Sequence, residues 1–298
     1  MSKFLIVYNP KAGKNSKRKR LEDVVSVLSE GGKNDVETFV TEKRADATDR
    51  AKSAQGYDAI AVVGGDGTLN EVLNGILSLE ESVRPAIIYI PGGTTNQTAK
   101  AFGLPTDLKG VAALLQEGEF RPFDLGSFNG RAYIDVCAFG YGSESSLRTS
   151  QRMKNKFGFF AFVLNQIKYL FRLKRVPMRI RCDGETYIGE YVFGNLVNTA
   201  MVSTFARLKS VGVRMDDGKL DLVLIDDVNN FFGLLAAMLR VIRRRFNKKK
   251  VYLISGKKFE LEFFGDRSFL LDGERVTATD HATVEVLPHA FRMLVPKE

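Results

Sequence analysis

Apolar and polar residues along the first 120 positions alternate between two rhythms. Phe4–Tyr8 is a short unbroken apolar run, the pattern of a strand buried on both faces. Lys17–Ser29 then places Leu21, Val24, Val25 and Leu28 at helical spacing, and Gly31-Gly32 ends the helix. Val36–Val40 alternates as a strand, Ala45–Ala54 predicts a helix, and Asp58–Val63 is a further apolar strand. Glu71–Leu79 predicts a helix, Pro85–Ile90 a strand, and Thr95–Phe102 a helix that stops at Gly103-Leu104-Pro105. Strands separated by single helices need crossover connections, so the region predicts βαβ units and a parallel, Rossmann-like sheet.

After about Pro122 the rhythm shortens. Phe123–Phe128 and Arg131–Cys137 flank Asn129-Gly130, a strong hairpin signal. Met178–Cys182, Thr186–Phe193, Leu220–Ile225, Val251–Ile254, Phe259–Phe264, Ser268–Leu271 and Thr283–Leu287 follow as short runs. Asp183-Gly184, Asp217-Gly218, Gly265-Asp266 and Asp272-Gly273 supply turns between most of them. The pattern predicts an antiparallel region with two helical interruptions, Ser143–Leu173 and Asn229–Arg245. Phe291–Val295 is placed to return to the first region as its last strand.

Length and composition narrow the chemistry. The chain has 298 residues, which suggests about two domains. Its 44% hydrophobic and 27% charged residues match a globular protein and exclude a disordered or collagen-like one. Two cysteines, Cys137 and Cys182, cannot build a disulfide framework or a four-cysteine zinc site. The two histidines, His281 and His289, lie near the C-terminus without metal-ligand spacing to either, which disfavours zinc and His-dependent hydrolytic catalysis. The N-terminus turns polar too early for a signal peptide. The apolar stretch Phe157–Phe171 is interrupted by Asn165, Gln166 and Lys168, whereas a bilayer span needs about 20 apolar residues. A cytoplasmic protein is therefore expected.

The net charge of +9 favours polyanions or an anionic membrane surface. Arg240, Arg243–Arg245 and Lys248–Lys250 crowd the end of one predicted helix, and Lys154, Lys156, Lys168, Arg172, Lys174 and Arg175 bracket the aromatic-rich Phe157–Phe171. Basic residues beside aromatics suit peripheral membrane contact. A solvated helix end over a buried apolar face explains them equally well. No nucleic-acid-binding signature accompanies the charge.

Three glycine-rich loops each follow a predicted strand: Asn9-Pro10-Lys11-Ala12-Gly13-Lys14, Gly64-Gly65-Asp66-Gly67-Thr68-Leu69-Asn70, and Pro91-Gly92-Gly93-Thr94-Thr95-Asn96. Ligands of open parallel sheets bind beyond the carboxyl ends of the strands. Glycine there lets backbone N–H groups approach phosphate oxygens, and the following helix N-terminus favours negative charge. Together the loops predict a phosphate or nucleotide site. The first lacks the early glycine of a P-loop, and Asn70 stands where a dinucleotide fingerprint wants its third glycine.

These loops, with Asp124-Leu125-Gly126, Asp217-Gly218 and Leu271-Asp272-Gly273-Glu274 in the same order, resemble the diacylglycerol kinase catalytic domain of the bacterial lipid kinase family. Gly-Gly-Asp-Gly-Thr alone is shared with NAD kinases and 6-phosphofructokinases. The resemblance implies an α/β nucleotide-binding domain over residues 1–122 plus 289–298. It implies an all-β, sandwich-like lipid-substrate domain over 123–288, with the active-site cleft between the two. It implies ATP as phosphoryl donor, Mg²⁺ as cofactor, a lipid acceptor of which diacylglycerol is the leading case, and peripheral membrane association; a homodimer stays open.

Residue by residue, the resemblance assigns Glu274 as the general base and gives Asp66 and Asp124 catalytic support. Asn9, Pro10, Gly13, Thr41, Gly64, Gly65, Asp66, Gly67, Thr68, Asn70 and Thr94 become nucleotide contacts. Asp217, with the carbonyls of Arg214 and Lys219, becomes a structural Mg²⁺ site that Asp124 reaches through water. As bare sequence, Asp66 would cap the helix starting at Thr68, and Asp272-Gly273-Glu274 would be a turn with a solvated Glu. The family pattern has Asp where this chain has neutral Gln97. Two other readings remain: a soluble kinase of the NAD-kinase type, and a non-catalytic nucleotide-binding regulator.

Overall fold

The computed structural model describes the chain except residues 1, 14–16, 30–31, 95, 141–174, 200, 204–205, 208–213, 227–230, 244, 247–249 and 298. Two compact units share it: Met1–Leu125 with Pro288–Glu298, and Gly126–Leu287. In chain order the first carries β1 (Lys3–Tyr8), α1 (Lys17–Ser29), β2 (Asp35–Val40), α2 (Asp46–Lys52), β3 (Ala59–Gly64) and α3 (Asp66–Ile76). It continues with β4 (Ala86–Pro91), α4 (Gln97–Ala101), α5 (Leu108–Glu117) and most of β5 (Glu119–Phe128). The second carries β6 (Arg131–Tyr133), β7 (Val136–Gly140), β8 (Val176–Cys182), β9 (Glu185–Val197), β10 (Met201–Ser203) and β11 (Ala206–Arg207). Then come β12 (Leu220–Asp226), α6 (Phe231–Ile242), β13 (Val251–Gly256), β14 (Lys258–Leu271) and β15 (Glu274–Val295), whose last residues belong to the first unit.

The first unit is built on a parallel sheet in the order β15–β4–β3–β1–β2. β3 and β4 are buried at all six positions, so their sequences are continuous apolar runs rather than alternating ones. β2 forms an edge, and its alternation survives as a largely exposed strand. α2 packs so closely on α3 that a Cβ at Gly75 would lie 2.5 Å from the Thr48 carbonyl oxygen. The returning end of β15 pairs with β4 through Met293 and Ile87. Phe123 of β5 meets Phe102 edge-on at 4.6 Å and tilts against Phe291 at 6.0 Å.

Two differences from the sequence reading arise here. The helix expected over Glu71–Leu79 begins at Asp66, because Gly65 takes the extended N-cap conformation and the glycine-rich stretch is already helical. α5 was not expected: the Asp107 carboxylate caps it by accepting the Gly110 N–H at 2.9 Å, and Val111 and Leu114 are its buried face.

Strand pairs within the second unit are antiparallel. β9 and β14 are each long enough to pair with β8 over one part and β7 over another. Their inward residues, with Phe139, Leu222, Phe259, Leu261 and Phe269 fully or nearly fully buried, make the main core. Asn129-Gly130, Asp183-Gly184 and Asp272-Gly273 have positive φ at both positions, the requirement of a tight two-residue hairpin turn. Gly265-Asp266 is not such a turn. It is an irregularity within β14, where Gly265 has φ +67° and pairing with β15 shifts between Glu262 and Asp266. Phe259–Phe264 and Ser268–Leu271 are therefore one strand. Thr283–Leu287 and Phe291–Val295 likewise belong to the single strand β15. The helix expected over Asn229–Arg245 is α6, whereas Ser143–Leu173 lies outside the described residues. Among the described residues no helix is long and apolar enough to cross a membrane.

Candidate active site

Within the first unit the loops after β1, β3 and β4 come together. A Cβ on Gly13, whose φ is +80°, would sit 2.3 Å from the Gly92 carbonyl oxygen. One on Gly93 would sit 2.8 Å from the Gly65 Cα. Only glycine permits these approaches. Gly92 N–H also donates to the Gly64 carbonyl at 2.6 Å, continuing the β3–β4 ladder into the loops. Asn9 ties the first loop to α3 by donating from Nδ2 to Thr68 Oγ1 at 2.9 Å, while its Oδ1 accepts the Lys11 N–H. Gly67 differs from its neighbours: a Cβ there would meet nothing within 4 Å and its φ is not positive.

Asp66 occupies the first turn of α3, yet it does not cap that helix. Its carboxylate reaches α4, where Oδ2 accepts the Gln97 N–H at 3.0 Å and Oδ1 the Thr98 N–H at 3.1 Å. Oδ1 also accepts the Tyr89 hydroxyl at 3.3 Å. α4 has only five residues, and Asn96 at its N-cap sits in left-handed conformation without capping it. Asp66 supplies the missing cap from another element and keeps acceptor capacity on Oδ2. Buried beside it, Asn96 Oδ1 and Thr98 Oγ1 find no hydrogen-bond partner among the described residues. The sequence marks Asn96 only as the last residue of the third glycine loop and gives no role to Tyr89 or Thr98.

The other expected site residues of this unit have different attachments. Thr41 is buried at the end of β2, its N–H donating to the Tyr8 carbonyl at 2.9 Å. Pro10 follows Asn9 in the first loop, and Thr94 is exposed in the third. Asn70 lies one turn into α3 and accepts the Asn74 side-chain amide at 3.0 Å. Asp124 is fully buried on β5 and accepts the His289 N–H at 2.8 Å. His289 has φ +49°, so this bond fixes β15 at an unusual backbone position.

In the second unit, Glu274 opens β15 directly after the Asp272-Gly273 turn, and its carboxylate is paired with the half-exposed Arg131 of β6. Asp272 is bound more deeply: it accepts the N–H groups of Ile134, Asp135 and Val136 at 2.6, 2.9 and 3.0 Å. The sequence marks Asp272 only as a turn residue and Arg131 only as a strand start, because their partners lie more than a hundred residues away. Asp217 is exposed in the turn before β12, and its Oδ1 accepts the Lys219 N–H at 3.1 Å. Arg214 pairs with Asp216 at 2.9 Å. Among the described residues no three His, Cys, Asp or Glu side chains cluster as a metal site. A carboxylate with backbone oxygens, as the Asp217 turn offers, is nevertheless the donor chemistry of a hard cation that keeps several waters.

Comparison with known proteins accounts for this combination. Residues 3–128 match the diacylglycerol kinase catalytic domain, and residues 136–295 match the YegS C-terminal NAD kinase beta sandwich-like domain. A diacylglycerol kinase of Staphylococcus saprophyticus is 33% identical over 273 residues, covering 90% of this chain and 88% of that one. One from Staphylococcus aureus strain MRSA252 is 32% identical, covering 90% and 85%. A crystal structure from Bacillus anthracis str. Sterne, provisionally named a diacylglycerol kinase, superposes with a TM-score of 0.80 at 27% identity, covering 99% of this chain and 96% of that one. The resemblance in the loops and the Asp-Gly-Glu turn thus holds along the whole chain, including its division into an α/β domain and a sandwich-like one. The chain belongs to the diacylglycerol kinase family and is a lipid kinase, an enzyme that transfers a phosphoryl group to a hydroxyl.

Proposed function

We propose that the chain transfers the γ-phosphoryl group of ATP to the hydroxyl of diacylglycerol, giving phosphatidic acid and ADP. The observation that carries this reading is the convergence of the three glycine loops at Gly13–Gly92 and Gly65–Gly93, against the N-terminus of α3. Backbone packed this closely without side chains suits a polyphosphate, which binds N–H groups and a positive helix end. Asn9, Pro10, Thr41, Gly64, Gly67, Thr68, Asn70 and Thr94 complete the nucleotide surface in this proposal.

The acceptor oxygen attacks the γ-phosphorus, the bond to the bridging oxygen of ADP breaks, and the hydroxyl proton passes to Glu274. Arg131 holds the Glu274 carboxylate in the absence of substrate. Mg²⁺, when bound, neutralises phosphate charge; the open acceptor site on Asp66 Oδ2 suits its hydration shell, and Asp217 with the carbonyls of Arg214 and Lys219 would hold a structural ion. Asp124 enters as support rather than as a proton carrier, because it is buried and already bound to His289. Gln97 contributes its backbone N–H to Asp66, so replacement of the family's Asp leaves that contact intact and removes one negative charge. A lipid acceptor places the enzyme at a membrane surface as a peripheral protein.

Labelled ATP incubated with the protein and extracted membrane lipids tests the reading. Labelled phosphatidic acid is expected, with turnover cut to a small residual rate by Glu274→Gln while ATP binding persists. A water-soluble labelled product would move the chain to the NAD-kinase type of reaction, and ATP binding without transfer would make it a regulator.

A further inference from the structure

The turn that precedes Glu274 is tied down more heavily than hairpin geometry demands. Asp-Gly suffices for a two-residue turn, since both residues tolerate the positive φ observed, +46° at Asp272 and +92° at Gly273. The Asp272 carboxylate additionally gathers three consecutive N–H groups, from Ile134, Asp135 and Val136, while its own N–H donates to the Val136 carbonyl at 3.0 Å. Successive N–H groups converging on one anion form a concave nest, and each such bond is charge-assisted.

The segment that supplies the nest is itself fixed. Asn198 donates from Nδ2 to the Ile134 carbonyl and from its backbone N–H to the Asp135 carbonyl, both at 3.1 Å. Three residues before Ile134, Arg131 binds the carboxylate of Glu274. One short stretch of chain thus grips the hairpin at its tip and again at the side chain two residues beyond.

From this arrangement we infer that Asp272 is a positioning residue, which fixes the reactive carboxylate of Glu274 through the anchored turn. The inference rests on Glu274 being the proton acceptor proposed above. Asp183 offers an internal comparison. It heads the same kind of turn and accepts the N–H groups of Lys257 and Lys258 at 2.9 and 3.3 Å, but no proposed catalytic group follows it. Both aspartates stabilise a hairpin, and only Asp272 also aims a reacting side chain.

The test compares Asp272→Asn and Asp183→Asn in the lipid phosphorylation assay, each with and without Glu274→Gln. Asn keeps the size of the side chain but loses its charge and one acceptor oxygen. Asp272→Asn is expected to lower kcat by about tenfold or more, because small misplacements of a reacting group are costly. The KM for ATP should stay within about twofold, and Asp183→Asn should lower thermal stability with kcat nearly unchanged. In the Glu274→Gln background Asp272→Asn should cost nothing further. Should Asp272→Asn fail to fold, Asp272→Ser is judged by the same criteria. A folded Asp272 variant with wild-type kcat beside a severely impaired Glu274→Gln overturns the inference, and so does an equal fold-loss on the residual rate of Glu274→Gln. Wild-type turnover in Glu274→Gln would instead remove the proton acceptor, and the positioning role with it.

Discussion

Asn9 and Thr68 stand 59 residues apart in the chain and are joined by a hydrogen bond of 2.9 Å from Asn9 Nδ2 to Thr68 Oγ1. The bond makes the first loop and the first turn of α3 one piece. Thr68 is almost fully buried, so Thr68→Val keeps the shape and leaves the Asn9 amide short of an acceptor. A loss of about 1–2 kcal/mol in urea unfolding is expected, together with weaker ATP binding by calorimetry. Asn9→Ala combined with Thr68→Val should lose less than the sum of the singles, since the two share one interaction. Strictly additive losses would show that the bond carries no energy.

The glycines of the second and third loops separate by cause. Gly93→Ala pushes a methyl group to 2.8 Å from the Gly65 Cα and should lower both stability and ATP affinity. Gly67→Ala meets nothing within 4 Å and lies inside α3, where alanine is the better helix former by about 1 kcal/mol. Its thermal midpoint should therefore hold or rise while ATP affinity falls, because the methyl group would stand where phosphate approaches. Unchanged ATP affinity in Gly67→Ala would place the nucleotide elsewhere.

Asp66 holds α4 from outside. Asp66→Ala removes the acceptor of the Gln97 and Thr98 N–H groups, at a cost of about 1 kcal/mol or more. Amide hydrogen exchange should accelerate at Gln97 and Thr98 and spread through this five-residue helix, with lipid phosphorylation lost. Asp66→Asn keeps one good acceptor oxygen and should fall between the two in exchange. Protection unchanged in Asp66→Ala would mean that α4 stands without its cap.

Alkaline pH should weaken the second unit. Burial, with Asp183 and Glu185 nearby, pushes the Cys182 thiol up to about 11, and burial with Asp226 nearby pushes Tyr191 up to about 12. The hydrogen bond to Glu185, more than burial, raises Tyr187 to about 12. Each group keeps its proton longer folded than unfolded, so the unfolded chain binds fewer protons as pH climbs. Stability is then fully present below about pH 9 and is lost as pH rises toward 11 and 12. Thermal midpoints between pH 8 and 11 should fall, less steeply in Cys182→Ser, and Cys182 in the folded protein should resist alkylation at pH 8.

Local patterns in this chain were readable and distant partnerships were not. The buried runs of β1, β3 and β4, the glycine loops and the Asn129-Gly130 and Asp272-Gly273 turns all express the conformation of neighbouring residues. α5 went unseen behind Pro105, although Asp107 caps it. The irregularity at Gly265 carries the same glycine signal as a turn, because φ above zero serves both. No spacing rule could pair Asp66 with α4, or Arg131 with Glu274 across 143 residues. Such contacts exist only once the sheets have formed. The family motif points to Glu274; the structure alone shows what grips it.

The sheet of the first unit is completed by the far end of β15, after the 162 residues of Gly126–Leu287 have intervened. At ribosomal speed that interval lasts roughly 10–30 s. Throughout it the outer edge of β4 waits without its neighbour, and Phe123 without Phe291. A nascent chain that already carries all three glycine loops is therefore unable to finish the scaffold beneath them. On the proposed function, ATP binding then awaits the end of synthesis, and chaperones that shield unpaired strand edges have their window in that delay.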